Sequence, residues 1–209
     1  DDNFEDSVFS FIPNTAEIAY FGLLRALRIH RREEVKQAIL SAQSEGKLDA
    51  ELLDQLIMSN WPRGEKIAHK DVKLRTFISQ EQGRAKLVSH VYDITYGLVE
   101  AKDCLVCIDD SIVRGTTSVK IVQMMRDAGA TEVHLRIGAP PITHPDFYGI
   151  DTPDQDQLLA ANNSLEEMRA YIGADSLAFL SVDGLYRAMG FENGRDAARP
   201  QFTDHCFTG

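Results

Sequence analysis

This sequence of 209 residues lacks long apolar stretches and an excess of basic residues, and it contains few cysteines. No apolar run approaches the ~18 residues that a membrane-spanning helix needs, so we expect no membrane partner. Three cysteines are too few for a disulfide framework and fit a reducing, cytoplasmic location. Lysine and arginine number 22 against 32 aspartates and glutamates, a net charge of −10. This balance excludes the broad basic surface of a nucleic-acid-binding protein, so any bound phosphate must be held by local groups.

What the sequence does contain is the composition of an ordinary globular protein. Hydrophobic residues make up 44% and charged residues 26%, with only 14 glycines and 7 prolines, so a collagenous or mostly disordered chain is excluded. At roughly 150 residues per domain, the length allows one large domain or two small ones. The first residues lack the positively charged start of a signal peptide.

The first part of the chain predicts one strand, one helix and a helical hairpin. A β-type run at 8–12 ends at a proline, and the following Asn14 or Thr15 can cap the helix that starts directly after them. Apolar positions recur at helical spacing through 31–58, and we interpret this stretch as a helical hairpin. The polar stretch 61–82 predicts a long loop.

The rest of the chain alternates strands and helices. Strands are predicted at 104–108, 131–139 and 177–181, and helices at 117–128, 155–172 and 182–189. A strand, a helix and a second strand in this order form a βαβ unit with a parallel pair. We therefore expect an α/β fold with an open, mostly parallel sheet flanked by helices, followed by an irregular tail at 191–209.

The segment CLVCIDDSIVRGTT at 104–117 carries the clearest chemistry. A strand ends in Asp109 and Asp110, and a short loop with Gly115 leads directly into a helix. In an open parallel sheet, ligands bind at the carboxyl ends of the strands. The helix N-terminus offers free N–H groups that suit a phosphate, whereas two carboxylates suit sugar hydroxyls or a hard cation such as Mg²⁺. Together these groups indicate a phosphorylated sugar as ligand.

Plainer interpretations apply to this and to other reactive residues. Asp-Asp-Ser alone would be an acidic turn that caps an ordinary helix, and only the full succession of motifs favours a ligand. Cys104 and Cys107 have Cys-x-x-Cys spacing, but a strand sends residues three apart to opposite faces, so we expect no metal or redox pair there. We interpret the histidines, including His134, His144 and His205, as structural or surface groups because no zinc-type spacing links them.

The segment IDDSIVRGTT resembles the phosphoribosyl pyrophosphate (PRPP) loop of type I phosphoribosyltransferases. Its Ser-Ile-Val-Arg-Gly-Thr-Thr form is similar to that of the glutamine PRPP amidotransferase family. Four more stretches resemble that family in the same order: RTFI (75–78), AGATEVHLRI (128–137), PPITHPDFYGIDTP (140–153) and IGADSLAFLSVDGL (172–185). The resemblance implies the C-terminal phosphoribosyltransferase domain of that family, covering 1–190.

This resemblance implies a set of site residues. Asp109 and Asp110 would contact the ribose hydroxyls and a Mg²⁺ ion, and Thr15 would contact the metal from the turn after the first strand. The implied PRPP-binding residues are Pro13, Asn14, Asp109, Asp110, Ser111, Val113, Arg114, Gly115, Thr116 and Thr117. Arg75 would lie in a loop that closes over PRPP and is the candidate catalytic residue, with a solvated loop charge as the alternative.

The implied reaction is the displacement of pyrophosphate from PRPP by ammonia, which forms 5-phosphoribosylamine in purine biosynthesis. In the family an N-terminal glutaminase domain supplies the ammonia; we find no such domain in 1–209 and expect this chain to use free ammonia. The implied partners are PRPP, ammonia, pyrophosphate and purine nucleotides as feedback inhibitors, and we expect a homo-oligomer. The alternatives are a non-catalytic PRPP- or nucleotide-binding regulatory module of the same fold and a phosphoribosyltransferase for a purine or pyrimidine base.

Three features depart from the family pattern. Leu74 stands beside RTFI where a small residue is usual. The hairpin at 31–58 is interpreted as an insertion that covers the site, makes a subunit contact or extends into solvent. Some members hold an iron–sulfur cluster on cysteines, but the corresponding places here are Asp146, Thr203 and Cys206. With one thiol among them, we expect no such cluster.

Overall fold

Five strands form a parallel sheet in the part of the chain that the structure, a computed structural model, describes: residues 6–58, 61–70, 92–100, 103–150 and 152–209. The strands are β1 (Ser7–Phe11), β2 (Arg63–Gly64), β5 (Cys104–Asp109), β6 (Glu132–Ile137) and β7 (Ser176–Phe179), in the order β2-β1-β5-β6-β7. Two more strands, β3 (Ala68–Lys70) and β4 (Tyr92–Ile94), pair antiparallel in a separate small sheet. The predicted open parallel sheet of an α/β fold is confirmed.

Helices pack on both faces of this sheet. They are α1 (Ala16–Ser44), α2 (Ala50–Met58), α3 (Thr116–Asp127), α4 (Leu159–Asn162), α5 (Leu165–Ile172), α6 (Val182–Ala188) and α7 (His205–Thr208), with a 3₁₀ turn at Gln155–Gln157. Because successive strand residues point to opposite faces, Leu105 and Cys107 pack under α3 and α5, whereas Ile108 packs against Tyr20 and Leu24 of α1. The sheet therefore has a separate apolar core on each side.

The predicted hairpin at 31–58 is helical, but its first arm is not a separate helix. Helix α1 runs without a break from Ala16 to Ser44, because the residues from 31 to 44 include no glycine or proline and are mostly good helix formers. The two arms are the C-terminal half of α1 and α2. The interpretation of the hairpin as an insertion stays a prediction.

Three other local expectations need correction. The stretch predicted as a long loop contains β2 and β3, which are too short to show any periodicity. The predicted cap fails: Thr15 has helical backbone angles and no side-chain cap bond to the described residues, while the Asn14 carbonyl accepts from the Glu17 N–H (3.3 Å). The irregular tail ends in the one-turn helix α7.

No helix in the described ranges combines the length and apolarity required to cross a membrane. The sheet's main consequence for function is geometric. Strands β1 and β5 are neighbours and parallel, so the segments that follow them emerge at the same edge.

Candidate functional site

Strand pairing brings the two predicted binding segments together. Strand β1 pairs with β5 in register from Ser7 opposite Cys104 to Phe11 opposite Ile108. The N–H of Ile12 donates to the Ile108 carbonyl at 2.8 Å, which extends the pairing past β1. The turn at 13–15 therefore lies beside the loop that starts at Asp109. Within this turn the proline is buried, and the asparagine and threonine are exposed.

The two carboxylates of the loop sit in different environments. Asp109 is only 9% exposed, and its Oδ1 accepts from the Asp110 N–H at 2.9 Å. Asp110 is half-buried, and its Oδ1 accepts from the Ser111 N–H at 2.7 Å. Burial, and then the neighbouring charge of Asp110, raises the pKa of Asp109 to about 7. A cation at this edge would favour the charged form of both groups.

Gly115 is required by the backbone and by its neighbours at the end of this loop. Its φ is +76°, in the left-handed region that favours glycine. A Cβ there would lie 2.7 Å from Leu159 Cδ2 and 3.2 Å from Tyr171 Cε1. Helix α3 starts at the next residue, and no side chain of the described residues caps it. The first N–H groups of α3 are thus available to an anion.

Two contacts fix the outer side of the loop. The carbonyl of Val113 accepts from the Leu159 N–H at 2.9 Å, and the Arg114 Nε donates to Gln157 Oε1 at 3.1 Å. Both partners belong to the segment that leads into α5. The Arg114 side chain is therefore engaged with this segment.

Sequence reasoning missed Lys70 and Tyr92, which interact electrostatically with the carboxylates of this site. They face each other in the β3–β4 pair, with Lys70 Nζ 5.4 Å from the centre of the Tyr92 ring. Burial, and then the charges of Asp109 and Asp110, raise the pKa of Tyr92 to about 12. The positive charge of Lys70 has the opposite effect on Asp109, whose pKa it lowers. The only sequence signal for this pair is that both residues flank the RTFI segment.

The closing-loop prediction lies outside the described residues. Arg75, RTFI and Leu74 all fall between 70 and 92. The structure describes the chain up to Lys70 and again from Tyr92, and both of these residues interact electrostatically with Asp109. The role of Arg75 stays a prediction.

Comparison with known proteins points to one family. No family model matches the chain. It is 60% identical over 137 residues to the amidophosphoribosyltransferase of Rhizobium etli, which covers 65% of this chain and 27% of that protein. It is 54% identical over 117 residues to the amidophosphoribosyltransferase of Bacillus subtilis, covering 56% of this chain and 24% of that protein.

Solved structures agree with these relatives. Glutamine PRPP amidotransferase from B. subtilis, complexed with ADP and GMP, superposes with a TM-score of 0.64 at 36% identity, covering 98% of this chain and 38% of that one. A structure described as the allosteric regulatory enzyme of purine biosynthesis gives a TM-score of 0.64 at 35% identity, covering 98% and 37%. The chain spans about a quarter of the length of these curated relatives. Over that stretch, the chain is a homologue of the amidophosphoribosyltransferases.

Proposed function

We propose that this chain is the phosphoribosyltransferase part of an amidophosphoribosyltransferase, which transfers the phosphoribosyl group of PRPP to ammonia and releases pyrophosphate. The observation that carries the proposal is the meeting of three features at one sheet edge: the turn at 13–15, the pair Asp109 and Asp110, and the uncapped start of α3. The similarity to amidophosphoribosyltransferases supports the same function.

The 5′-phosphate of PRPP would bind where the loop enters α3. The first N–H groups of a helix lack intrahelical partners and carry a partial positive charge. Gly115 lets the backbone approach the ligand, and the hydroxyls of Ser111, Thr116 and Thr117 add donors. Such local donors suit a chain whose net charge is −10.

A magnesium ion fits the carboxylate side of the site. Asp109, Asp110 and Thr15 offer the hard oxygen ligands that Mg²⁺ prefers. Asp109 is a buried carboxylate with a raised pKa, which is the state expected of a group whose charged form needs a cation. When bound, the ion would supply charge neutralisation for the leaving pyrophosphate.

The chain's own residues would act mainly by positioning. The bond between ribose C1 and the pyrophosphate oxygen breaks, a C1–N bond forms, and the attacking ammonia loses a proton. Asp109 and Asp110 would hold the ribose hydroxyls, and the loop would hold the 5′-phosphate, so that C1 is fixed for attack. The charge of Lys70 acts on Asp109, and Lys70 would attract the negatively charged end of the substrate.

The setting of the reaction is part of the same proposal. We propose that ammonia comes from glutamine through a glutaminase part outside residues 1–209, and that purine nucleotides inhibit the enzyme in a homo-oligomer. The nucleotide part is supported by the relative from B. subtilis, which was solved with ADP and GMP. The free thiols Cys104, Cys107 and Cys206 suit a cytoplasmic enzyme.

The test is ammonia-dependent release of pyrophosphate from PRPP with Mg²⁺. The double variant Asp109→Asn/Asp110→Asn should lower the rate on the order of 100-fold or more, because the groups that bind ribose and metal lose their charge. The matched control is Glu51→Gln/Asp54→Asn on α2, which removes two exposed carboxylates and should leave the rate unchanged.

Other outcomes separate the alternatives. Mg²⁺-dependent binding of PRPP without release of pyrophosphate would indicate the regulatory module instead. Release that needs a purine or pyrimidine base rather than ammonia would indicate a base phosphoribosyltransferase. A chain that neither binds PRPP nor releases pyrophosphate would overturn the assignment of this sheet edge.

A further inference from the structure

A second cluster of reactive side chains lies away from the proposed PRPP site. It joins Asp146, from the loop after β6, to His205 and Cys206, which start α7. Three distances define it: 3.5 Å from His205 Nε2 to Asp146 Oδ1, 3.5 Å from Cys206 Sγ to the same oxygen, and 3.6 Å from Cys206 Sγ to His205 Nε2. One imidazole nitrogen, one thiol and one carboxylate oxygen thus form a nearly equilateral triangle.

The size of this triangle matches one face of a zinc coordination tetrahedron. Zinc bonds of about 2.0–2.3 Å at tetrahedral angles place the ligand atoms about 3.3–3.6 Å apart. A hydrogen bond between nitrogen and oxygen is shorter, about 2.9 Å, so the 3.5 Å separation of His205 and Asp146 is wide for a direct bond. We propose that Asp146, His205 and Cys206 bind a single Zn²⁺ ion, with the fourth position taken by water.

The carboxylate is held in the orientation that this site needs. The side chain of Asp146 is only 6% exposed. Its Oδ2 accepts from the N–H of Tyr148 at 2.9 Å and from the N–H of Ile150 at 2.8 Å. These bonds leave Oδ1 directed at His205 and Cys206. Outer hydrogen bonds that orient a ligand in this way are typical of zinc sites.

The imidazole of His205 is fixed by two aromatic rings. The Phe147 ring stacks on it at 5.5 Å between centres and 19° between planes, and the Tyr148 ring meets it edge-on at 5.5 Å. The Nδ1 atom is buried and has no hydrogen-bond partner among the described residues. The ring therefore presents Nε2 to the cluster, and the aromatic cover lowers the access of water to that side.

The surrounding structure gives the ion a rigid frame and an entry path. The Cys206 carbonyl accepts from the N–H groups of Thr143 (2.8 Å) and His144 (3.1 Å), so α7 is tied to the loop independently of the metal. A cleft of about 590 Å³, lined in part by Tyr148, Phe202 and His205, opens to solvent next to the cluster. A hydrated ion could reach the site and keep one water ligand there.

The donor set also decides which metal fits. An iron–sulfur cluster is held mainly by several thiolates, and this site offers one. A hard ion such as Mg²⁺ prefers oxygen ligands alone. One sulfur, one nitrogen and one oxygen suit zinc, which accepts all three.

The test measures zinc in the purified full-length chain. After expression with zinc and dialysis against metal-free buffer, we expect one equivalent of zinc by mass spectrometry in the wild-type chain and in Cys104→Ser. The variants Cys206→Ser and Asp146→Asn should each retain at least about tenfold less zinc than the wild-type chain, because each has lost one of the metal ligands. Cys104→Ser is the matched control because Cys104 is a free thiol on β5, in a different cluster.

Cobalt gives an independent readout of the same site. Co²⁺ bound at this triangle should show the visible bands of tetrahedral coordination and a near-ultraviolet charge-transfer band from the thiolate, and Cys206→Ser should abolish the latter. Far-ultraviolet circular dichroism shows that each variant is folded. A folded wild-type chain that retains neither zinc nor cobalt would overturn the proposal, and so would a charge-transfer band that survives Cys206→Ser. In the first case the three side chains would hold no metal, and in the second the thiolate ligand would not be Cys206.

Discussion

The proposed PRPP loop and the Asp146–His205–Cys206 cluster are built in opposite ways. The carboxylates and helix start of the loop come from one continuous segment after β5, positioned by the pairing of β5 with β1. The cluster joins residues 60 positions apart in the sequence. The first site depends on the pairing of the central strands, and the second depends on how the tail is anchored. Damage to one should therefore leave the other intact.

The largest effect on stability is expected from Asp109→Asn, because this substitution removes a charge that the folded loop buries. The pKa of Asp109 is about 7 in the folded chain against an ordinary value of 3.8, so the folded state binds this proton more tightly than the unfolded state. The contribution of Asp109 to the free energy of unfolding is therefore fully present below about pH 4 and is lost as the pH rises through about 7. At pH 8 without divalent cations, Asp109→Asn should raise the free energy of unfolding by up to about 4 kcal/mol.

Urea unfolding at pH 5 and pH 8 measures this effect. The wild-type chain should lose stability between the two values, and Asp109→Asn should lose much less. Asp54→Asn, at an exposed position on α2, is the control and should follow the wild type. Equal wild-type stability at both pH values would show that the carboxylate is not penalised by burial. The zinc content should be the same in all three chains.

The next effect concerns the backbone of the loop. Gly115→Ala forces a side chain into the left-handed region and toward Leu159 Cδ2, and we expect a loss of about 3 kcal/mol in unfolding free energy. Gly46→Ala is the control, because Gly46 also has a positive φ (+67°) but a Cβ there meets no atom of the described residues within 4 Å. It should cost about 1 kcal/mol.

Calorimetric titration with PRPP gives the functional half of this prediction. Gly115→Ala should weaken PRPP binding at least about tenfold, since a shift of the loop moves several backbone donors at once. Gly46→Ala should bind as the wild type does. Equal losses of stability in both variants would mean that the neighbours of Gly115 yield at little cost.

The contrast between the sites also explains what could be predicted from the sequence. Asp109, Asp110 and Gly115 form a local pattern of strand, carboxylates and helix start, which is visible in the sequence because the neighbours in space are also neighbours in the chain. The strand pair that carries Lys70 and Tyr92 is three residues long on each side, which is below the length at which periodicity is informative. For the Asp146 cluster, the family resemblance marks Asp146 and Cys206 as places where some members hold cluster cysteines, but no spacing signal adds His205, because the three side chains meet only after the tail folds back on the loop.

A smaller effect is expected when the anchor of the tail is weakened. Asp204 accepts from Arg195 Nε (2.5 Å) and Nη2 (3.2 Å), and its Oδ2 also accepts from the Tyr186 hydroxyl (2.8 Å). These bonds, with Arg195 foremost, lower the pKa of Asp204 to about 2. Asp204→Asn weakens the charged bonds and should cost about 2 kcal/mol in unfolding free energy.

The location of this loss distinguishes the two sites. Because Asp204 directly precedes His205, zinc retention should fall in Asp204→Asn while ammonia-dependent pyrophosphate release stays unchanged. Asp196→Asn, an exposed tail position, is the control. In the wild type, the stability from the Asp204 pairing is present above about pH 4 and is lost as the pH falls toward 2. Loss of pyrophosphate release in Asp204→Asn would show that the tail and the loop are coupled after all.

The smallest effect tests whether Lys70 belongs to the loop site. Lys70 is the cation that opposes the rise in the pKa of Asp109, which burial and Asp110 cause. Lys70→Met keeps the length and apolar stem of the side chain and removes the charge, so the pKa of Asp109 should rise further, as followed by carboxyl carbon NMR. Lys66→Met is the matched control, since Lys66 lies over the Phe11 ring, 5.8 Å from its centre. A shift of the Asp109 pKa in Lys66→Met as large as in Lys70→Met would mean that the carboxylate responds to the overall charge of this edge. A shift in Lys70→Met alone would make Lys70 a specific member of the site, placed there by a strand pair that the sequence does not reveal.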